Sequence, residues 1–300
     1  MIYCLREDKF ADDLHRITEY RRHGSKLFVF GAKPLLAAAN VKGLECEGRI
    51  EVPVGSHIVP TYELGAVGTL WPWIGEFVAA CTRRGKMPVM FQSFDVPGGR
   101  DRAKRYEVKS DHGSYAKWHA ETPPPVKPGE LGRAWLREIR HALAAIRRDE
   151  MADIREAGRR AAATRARGGQ AWVIATGHAT ACLFGVPHDP GYFRKIESPA
   201  ALTTNDFVLG VGYSSIFNEP EDRHFADSVR QAGASAAWIA ARYRPERVRT
   251  LPGEVFIDAH WKAGDAVVEV PGYDIKILPP SGYLVSAIYF MINAEMTGQE

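Results

Sequence analysis

The chain has 300 residues, of which 45% are hydrophobic and 25% are charged, and its formal net charge is +3. This composition is typical of a globular protein with room for two domains of ordinary size. The small net charge implies no general attraction to nucleic acid, and the basic residues within positions 133–167 recur at helical spacing, as on a solvent-exposed helix face.

The cysteines and the first residues of the chain predict a cytoplasmic location. The cysteines show no metal-binding spacing, as expected of buried thiols in a reducing compartment; they are Cys4, Cys46, Cys81 and Cys182. Residues 6–9 are charged where a signal peptide needs an apolar core, and we expect no apolar run of membrane-spanning length. The sequence therefore predicts a cytoplasmic protein that interacts with no membrane.

The first part of the chain alternates predicted helices and strands. Gly24 is suited to ending the first helix, and Pro34 is suited to the first turn of the second. The apolar pattern predicts helices at 9–22, 35–41 and 74–84, and strands at 26–30, 49–54, 62–67 and 88–92. Alternation at this pace is typical of a parallel sheet covered on both faces.

A proline-rich segment interrupts this alternation. Residues 95–128 include three consecutive prolines at 123–125, which continue neither a helix nor a central strand and favour a stiff, extended connection. We therefore predict an N-terminal unit at 1–122, a linker at 123–130 and a C-terminal unit at 131–300.

The second half then repeats the order of the first. Helices are predicted at 131–147, 151–167, 223–232 and 282–296, and strands at 171–175, 193–197, 207–211 and 236–240. The strand-like segments 25–30 and 170–175 are 145 positions apart, and so are Gly65 and Gly210. Self-similarity of this kind predicts two α/β units of one fold, the first of them degenerate.

The segment after the strand at 171–175 is the first candidate site. Residues 176–180 read TGHAT and precede an apolar run suited to a helix. A strand, a glycine turn and a helix N-terminus together direct free backbone N–H groups at one point and bind anions. The alternative is that Gly177 only turns the chain and that His178 caps a helix.

Three motifs of the second half resemble the SIS domain, the sugar-isomerase or phosphosugar-binding fold. They are TGHAT at 176–180, GVGYSS at 210–215 and IDAHWKAGDAV at 257–267, and they are most similar to bacterial SIS proteins with a GTGHSH-like turn. The resemblance covers about residues 151–295, and it extends to 9–92 only through the internal repeat. It implies an α/β fold of two SIS-like three-layer α/β/α units with parallel sheets, flavodoxin-like or Rossmann-like.

The resemblance also implies a site for a sugar phosphate where the strands end. It needs neither a metal nor another cofactor, and its ligand-binding residues would be Gly177, His178, Ala179, Thr180, Ser214, Ser215 and Asn218. Two departures weaken the phosphate contacts: Ala179 replaces a serine of the family pattern, and the loop after Ser215 lacks that pattern's glycine and threonine.

Catalysis would require a base that moves a proton between neighbouring carbons. The residues assigned to this role are His178 and Glu254, with Glu219, Asp258 and His260 as alternatives. Asp258 and His260 would share one face of a strand and could bind a metal, but the sequence shows no third ligand.

Two functions remain open from the sequence. Non-catalytic binding of a phosphorylated sugar, for sensing or regulation, is favoured over a sugar-phosphate isomerase, because the serine loop is altered and no partner for a base is evident. A DNA-binding regulator is disfavoured because residues 9–22 are too short for a helix-turn-helix. The tryptophan-rich first unit and the apolar last helix predict a homodimer.

Overall fold

The structure is a computed structural model that describes residues 2–6, 9–40, 48–52, 61–93, 96–107, 117–175, 189–196, 201–212, 220–241, 250–262 and 264–298. The chain forms two compact units, which are Met1–Leu70 with Gly185–Pro190 (unit 1) and Trp71–Phe184 with Gly191–Glu300 (unit 2). The sequence-based division places a linker at 123–130, whereas this segment lies inside unit 2. There Val126 is buried, and its N–H donates to Oγ1 of Thr82 over 3.0 Å.

Unit 1 contains a three-stranded parallel sheet. Its strands are β1 (Ile2–Cys4), β2 (Phe28–Ala32) and β3 (Gly48–Val52), in the order β1-β2-β3, and its helices include α1 (Phe10–Arg22) and α2 (Lys33–Ala38). The predicted strands at 26–30 and 49–54 and the two helices are confirmed, whereas β1 was not predicted. Buried apolar residues of these elements and their flanks form the core, namely Leu5, Ile17, Leu27, Val29, Leu36 and Ala39.

The next element differs from the prediction. A single helix, α3, runs over Thr61–Thr82, so the strand predicted at 62–67 is wrong. The helix continues through Gly65 and Gly68, and Oγ1 of Thr69 donates to the carbonyl oxygen of Gly65 over 2.7 Å. Gly65 is therefore helical while Gly210 lies in a strand, and the proposed repeat fails at this pair.

The strand predicted at 88–92 is also absent from the parallel sheets. Pro88 forms only an isolated antiparallel bridge with Trp118. The neighbouring N–H of His119 donates to the carbonyl oxygen of Met87 over 2.7 Å. Residues 87–88 therefore pair with residues 118–119, and the repeated order of elements that suggested two units of one fold, the first degenerate, is not present among the described residues.

The helix α3 also corrects the expectation about apolar runs. Its segment Leu64–Thr82 has 19 residues, a mean hydropathy of 1.2 and only 17% of its window buried, so it is long and apolar enough to cross a membrane. Length and composition do not distinguish a membrane span from the helix of a globular unit. The sequence analysis missed this run because it divided the segment into a strand and a shorter helix.

Unit 2 contains a five-stranded parallel sheet. Its strands are β4 (Ala171–Ala175), β5 (Arg194–Lys195), β6 (Phe207–Val211), β7 (Ser235–Ala240) and β8 (Val255–Asp258), in the order β5-β4-β6-β7-β8. This is the 2-1-3-4-5 order of flavodoxin-like folds. The predicted α/β class with parallel sheets is confirmed, as are the strands predicted in this half of the chain.

The helices predicted at 131–147, 151–167, 223–232 and 282–296 are confirmed in unit 2, whereas a helix at Gly99–Tyr106 was not predicted. The helices of this unit are the end of α3, α4 (Gly99–Tyr106), α5 (Glu130–Ala145), α6 (Met151–Ala166), α7 (Pro220–Gln231) and α8 (Ser281–Thr297), with a π-helical turn at Ile146–Glu150. The carboxylate of Glu76 accepts the N–H groups of Gly129 (2.5 Å) and Gly132 (3.1 Å) at the start of α5. A carboxylate is favourable at a helix N-terminus, so this contact anchors the end of α3 to α5.

Both faces of the five-stranded sheet are covered. Successive strand residues point to opposite faces, and on β6 Val208 packs in one buried cluster with Val229 of α7. Phe207 points the other way, where the ring of Phe193 contacts both Phe207 and Tyr289 of α8. Unit 2 therefore has three layers, with helices on both faces of its sheet.

Candidate functional site

The carboxyl ends of four strands lie level with one another in unit 2. Ala175 of β4 pairs with Val211 of β6, Val211 pairs with Ile239 of β7, and Ile239 pairs with Ile257 of β8. From β4 the sheet continues to β5 on one side, and from β6 it continues to β7 and β8 on the other. In open α/β sheets, ligands bind where the strand order reverses in this way.

The predicted ligand-binding segments follow the two strands at this reversal. Residues 176–180 come directly after Ala175, and the N–H of Gly212 extends the sheet beyond β6 by donating to the carbonyl oxygen of Ile239 over 2.9 Å. The predicted side chains themselves lie outside the described residues; they are Gly177, His178, Ala179, Thr180, Ser214, Ser215 and Asn218. The structure thus brings together the strands that precede them.

Glu254 lies at the amino ends of the strands, opposite the carboxyl ends that carry the candidate site. It directly precedes β8, and its carboxylate accepts two hydrogen bonds from Arg230, over 2.8 and 3.0 Å, and one from the N–H of Leu251 over 2.9 Å. The hydrogen bond with Glu254 raises the pKa of Arg230 above its ordinary value. The structure therefore does not bring Glu254 to the end of β4, and its contacts fasten α7 to the turn before β8.

A different acidic residue lies at the carboxyl edge. Oε1 of Glu150 is 2.9 Å from Nε2 of His260, and Oε2 of Glu150 accepts the N–H of Asp258 over 3.0 Å. The carboxylate of Asp258 in turn accepts the N–H of His260 over 2.8 Å. Asp258 ends β8, so these three residues form one hydrogen-bonded cluster at this edge.

Sequence reasoning considered Asp258 and His260 but missed Glu150. Glu150 precedes His260 by 110 positions, and it ends the π-helical turn between α5 and α6. Such turns are rare and frequent at functional sites. The one available signal was the break in helical periodicity near residues 148–150, which the sequence analysis did not connect with function.

The surroundings of the cluster are charged. Arg148 donates to the carboxylate of Asp149, and this hydrogen bond, with a smaller contribution from the nearby His260, lowers the pKa of Asp149. Among the described residues, no group of three or more His, Cys, Asp or Glu side chains has the arrangement of a metal site. A carboxylate beside an imidazole is instead the arrangement of a proton-transferring group and its orienting partner.

Arg102 forms a second polar cluster, next to a cavity lined by residues 89–92, Ala103 and Tyr106. Arg102 is buried and donates to Asp274 (2.8 and 3.0 Å), to the carbonyl oxygen of Met90 (2.7 Å) and to the hydroxyl of Tyr273 (2.9 Å). Burial alone would lower the pKa of Arg102, but these hydrogen bonds raise it. Each of its nitrogens has a partner, so the cluster stabilises unit 2.

Comparison with known proteins gives little beyond this geometry. No protein-family model and no curated protein matches the chain. The chain is similar to a solved structure described as the C-terminal domain of glucosamine-fructose-6-phosphate aminotransferase from Francisella tularensis, with a TM-score of 0.48 and 10% identity, over 98% of this chain and 69% of that chain. Similarity at this level carries no argument about function, and the flavodoxin-like assignment rests on the strand order of unit 2.

Proposed function

We propose that the chain binds a phosphorylated sugar derivative at the carboxyl edge of the five-stranded sheet. The observation that carries the proposal is the pairing of Ala175 with Val211, which makes the ends of β4 and β6 neighbours at the reversal of strand order. Each end leads into a segment of small and hydroxyl residues, TGHAT and GYSS.

The chemistry of these two segments suits a phosphate. Glycine lets the backbone approach closely, and Thr180, Ser214 and Ser215 carry hydroxyl groups that rotate to donate hydrogen bonds to an anion. Binding for sensing or regulation requires only this cradle. The departures at Ala179 and after Ser215 reduce the number of donors, so we expect moderate affinity.

A sugar-phosphate isomerase is the second candidate. The observation that favours it is the contact of 2.9 Å between His260 and Glu150 at the same edge of the sheet. Isomerisation of an aldose to a ketose needs a base in addition to the phosphate cradle, and an imidazole oriented by a carboxylate is suited to that role.

A thermal-shift screen tests the proposed binding. The panel contains triose, pentose, hexose and heptose phosphates, with the free sugars and inorganic phosphate as controls. A ligand at a hundred times its dissociation constant stabilises the folded state by about 2.7 kcal/mol, which raises the melting temperature measurably. We expect a shift that needs both the sugar and the phosphate. A panel without any shift would contradict the proposal.

The homodimer predicted from the sequence is part of this proposal. Phe77 of α3 is 46% exposed and its ring stacks on that of Trp73, which leaves aromatic surface on unit 2. Sedimentation across a concentration series checks the prediction, and a protein that stays monomeric throughout would contradict it.

A further inference from the structure

A row of arginines covers the outward face of α5. Four exposed side chains follow one another at steps of four, three and seven residues, which is the spacing of a single helix face; they are Arg133, Arg137, Arg140 and Arg147. Arg147 belongs to the π-helical turn that follows α5. The opposite face of the helix is buried, with Leu131, Trp135, Ile139 and Ala142. At a rise of about 1.5 Å per residue, this arginine row is about 20 Å long.

The charges of the arginine row are not compensated by nearby acids. Among the described residues, Arg137, Arg140 and Arg147 form no ion pair, and Arg133 donates only to the carbonyl oxygen of Pro128, over 3.4 Å. Neighbouring positive charges repel one another, and an anion that presents several negative charges in a line relieves this repulsion. The arginine row therefore favours a polyanion as its partner.

The positive charge continues past the start of α5. The exposed side chain of Arg83 donates to the carbonyl oxygen of Val126 over 2.8 Å, and the exposed Lys127 follows that carbonyl group. The carbonyl groups of Val126 and Pro128 are two residues apart, so they are separated by at most about 7 Å. Because Arg83 contacts the first and Arg133 the second, their guanidinium groups are neighbours. The arginine row, Arg83 and Lys127 thus form one basic surface on unit 2.

The arginine row offers little apolar contact area. Leu136 is 40% exposed and is the one large apolar side chain that α5 exposes, whereas Trp135 is fully buried. Protein interfaces have an apolar or aromatic centre, and a helix that lies on a membrane inserts an apolar face. Single-stranded nucleic acid is bound largely by aromatic side chains that stack on its bases. The outward face of α5 has none of these features, and it presents charge alone.

We propose that the basic surface binds the phosphate backbone of a double-stranded nucleic acid. One strand of a duplex carries a phosphate for about every 3.4 Å of its axis, so the arginine row spans about six phosphates. The planar guanidinium group donates parallel hydrogen bonds to phosphate oxygens. Backbone contacts position a duplex without reading its sequence, so we expect no sequence preference. The inference is independent of the proposed sugar-phosphate site, because it uses none of the residues of that site.

The salt dependence of binding reports how many phosphates the protein contacts. For B-DNA, each neutralised phosphate lowers the logarithm of the binding constant by about 0.9 for a tenfold rise in salt. Four contacts from the arginine row therefore predict that the affinity falls about 150-fold between about 50 and 200 mM salt. The net charge of the whole chain is only +3, so an effect of this size requires charge that is concentrated on one surface.

Fluorescence anisotropy with a labelled short DNA duplex of random sequence tests the inference across this salt range. The test variant is Arg137→Gln combined with Arg140→Gln. The matched control is Arg155→Gln combined with Arg159→Gln, which removes the same charge from exposed arginines of α6 that are each near a glutamate, at 3.8 and 2.8 Å. Thermal unfolding of both variants checks that they are folded, and the exposed positions predict melting temperatures close to that of the wild type.

We expect the wild-type protein to bind the duplex with the salt dependence given above. The variant of Arg137 and Arg140 keeps two of the four contacts, so its affinity should fall only about 12-fold over the same range and should be weaker than wild type at low salt. The variant of Arg155 and Arg159 should bind as the wild type does. No binding at low salt, or equal losses in the two variants, overturns the proposal.

Three other probes test the choice of partner. They are single-stranded DNA of the same sequence, polyglutamate, and phosphatidylcholine vesicles that contain phosphatidylserine. Weaker binding to all three than to the duplex supports the proposal, and stronger binding to any of them overturns it. The thermal shift with a sugar phosphate should be the same in both variants, so failure of either proposal leaves the other standing.

Discussion

Gly210 of β6 lies directly against the indole ring of Trp238 on β7. The two residues are register partners, and a β-carbon added to Gly210 would lie 2.2 Å from Cε3 and 2.5 Å from Cζ3 of the ring. Trp238 is fully buried in the cluster beneath α7, so it has little freedom to move aside. The absence of a side chain at Gly210 is therefore a packing requirement of the sheet that carries the proposed site.

We predict that Gly210→Ala destabilises the protein. The added methyl group forces the indole or the strand to shift, and overpacking of a core costs about 1–3 kcal/mol. Denaturant unfolding measures the change in the free energy of unfolding. Gly282→Ala on α8 is the matched control, since no atom lies within 4 Å of its added β-carbon, and it should be neutral or stabilising. Equal effects of the two substitutions would contradict the packing argument.

Asp206 should make stability depend on pH in the acid range. Burial alone would raise its pKa, but hydrogen bonds from the N–H of Gln170 (2.9 Å) and from Thr203 (2.8 and 2.9 Å) lower it below the ordinary 3.8. Between the folded and unfolded pKa values the unfolded chain binds more protons, so stability rises with pH there. The contribution is complete above pH 3.8 and is lost as the pH falls through the lower, folded-state value.

The variant Asp206→Asn tests whether Asp206 causes this increase of stability with pH. It should be less stable than wild type near neutral pH by about 1–3 kcal/mol, because buried N–H donors lose their acceptor. Urea unfolding at several acidic pH values should show the difference between the two proteins shrinking as the pH falls. A difference that stays constant across the range would refute the assignment.

We expect Arg102 to contribute more to the stability of the folded protein than an exposed arginine does. Arg102→Ala removes the hydrogen bonds to Asp274, Tyr273 and the carbonyl oxygen of Met90, and buried polar groups left unpaired cost about 1–3 kcal/mol. Arg148→Ala removes an ion pair with Asp149 that is exposed on both sides, so we expect no measurable change in stability. Similar melting temperatures for the two variants would argue against a structural role for Arg102.

The cytoplasmic location remains a prediction, and α3 makes it worth testing. Its apolar stretch Leu64–Thr82 satisfies the length of a membrane span, yet Glu76 within it accepts two N–H groups from the start of α5. A carboxylate used in this way favours packing inside a globular unit. We expect the protein in the cytosolic fraction after cell disruption. Recovery in membranes that resist alkaline extraction would contradict this expectation.

Much of unit 2 could be predicted because its signals are local. The strands β4, β6 and β7 are apolar runs flanked by turn residues, and their burial follows from this composition. The two helices before β4 were likewise visible from their periodicity. The strand order was not predicted, because the resemblance left a flavodoxin-like and a Rossmann-like order open, and the structure shows the flavodoxin-like one.

The errors have physical causes as well. Gly65, Gly68 and Pro72 are usually signs of a break, but α3 continues through all three, so the local preferences of these residues do not decide the structure here. The apolar run at 88–92 has the composition of a strand, but its Pro88 forms an isolated antiparallel bridge with Trp118 and joins neither parallel sheet. Glu150 could not be joined to His260 from sequence, because only the fold brings residues 110 positions apart into contact.

The most direct test of the central claim is the affinity of the protein for the sugar phosphate that the thermal-shift screen identifies. Calorimetric titration compares the wild-type protein with Thr180→Ala and Ser214→Ala, and with Ser228→Ala on α7 as the control, whose hydroxyl donates to the carbonyl oxygen of His224.

A hydrogen bond to a charged group contributes about 1.5–3 kcal/mol, so each of the first two variants should lose about tenfold or more in affinity. The control should bind as wild type does. Unchanged affinity in both Thr180→Ala and Ser214→Ala would contradict a phosphate site at the ends of β4 and β6.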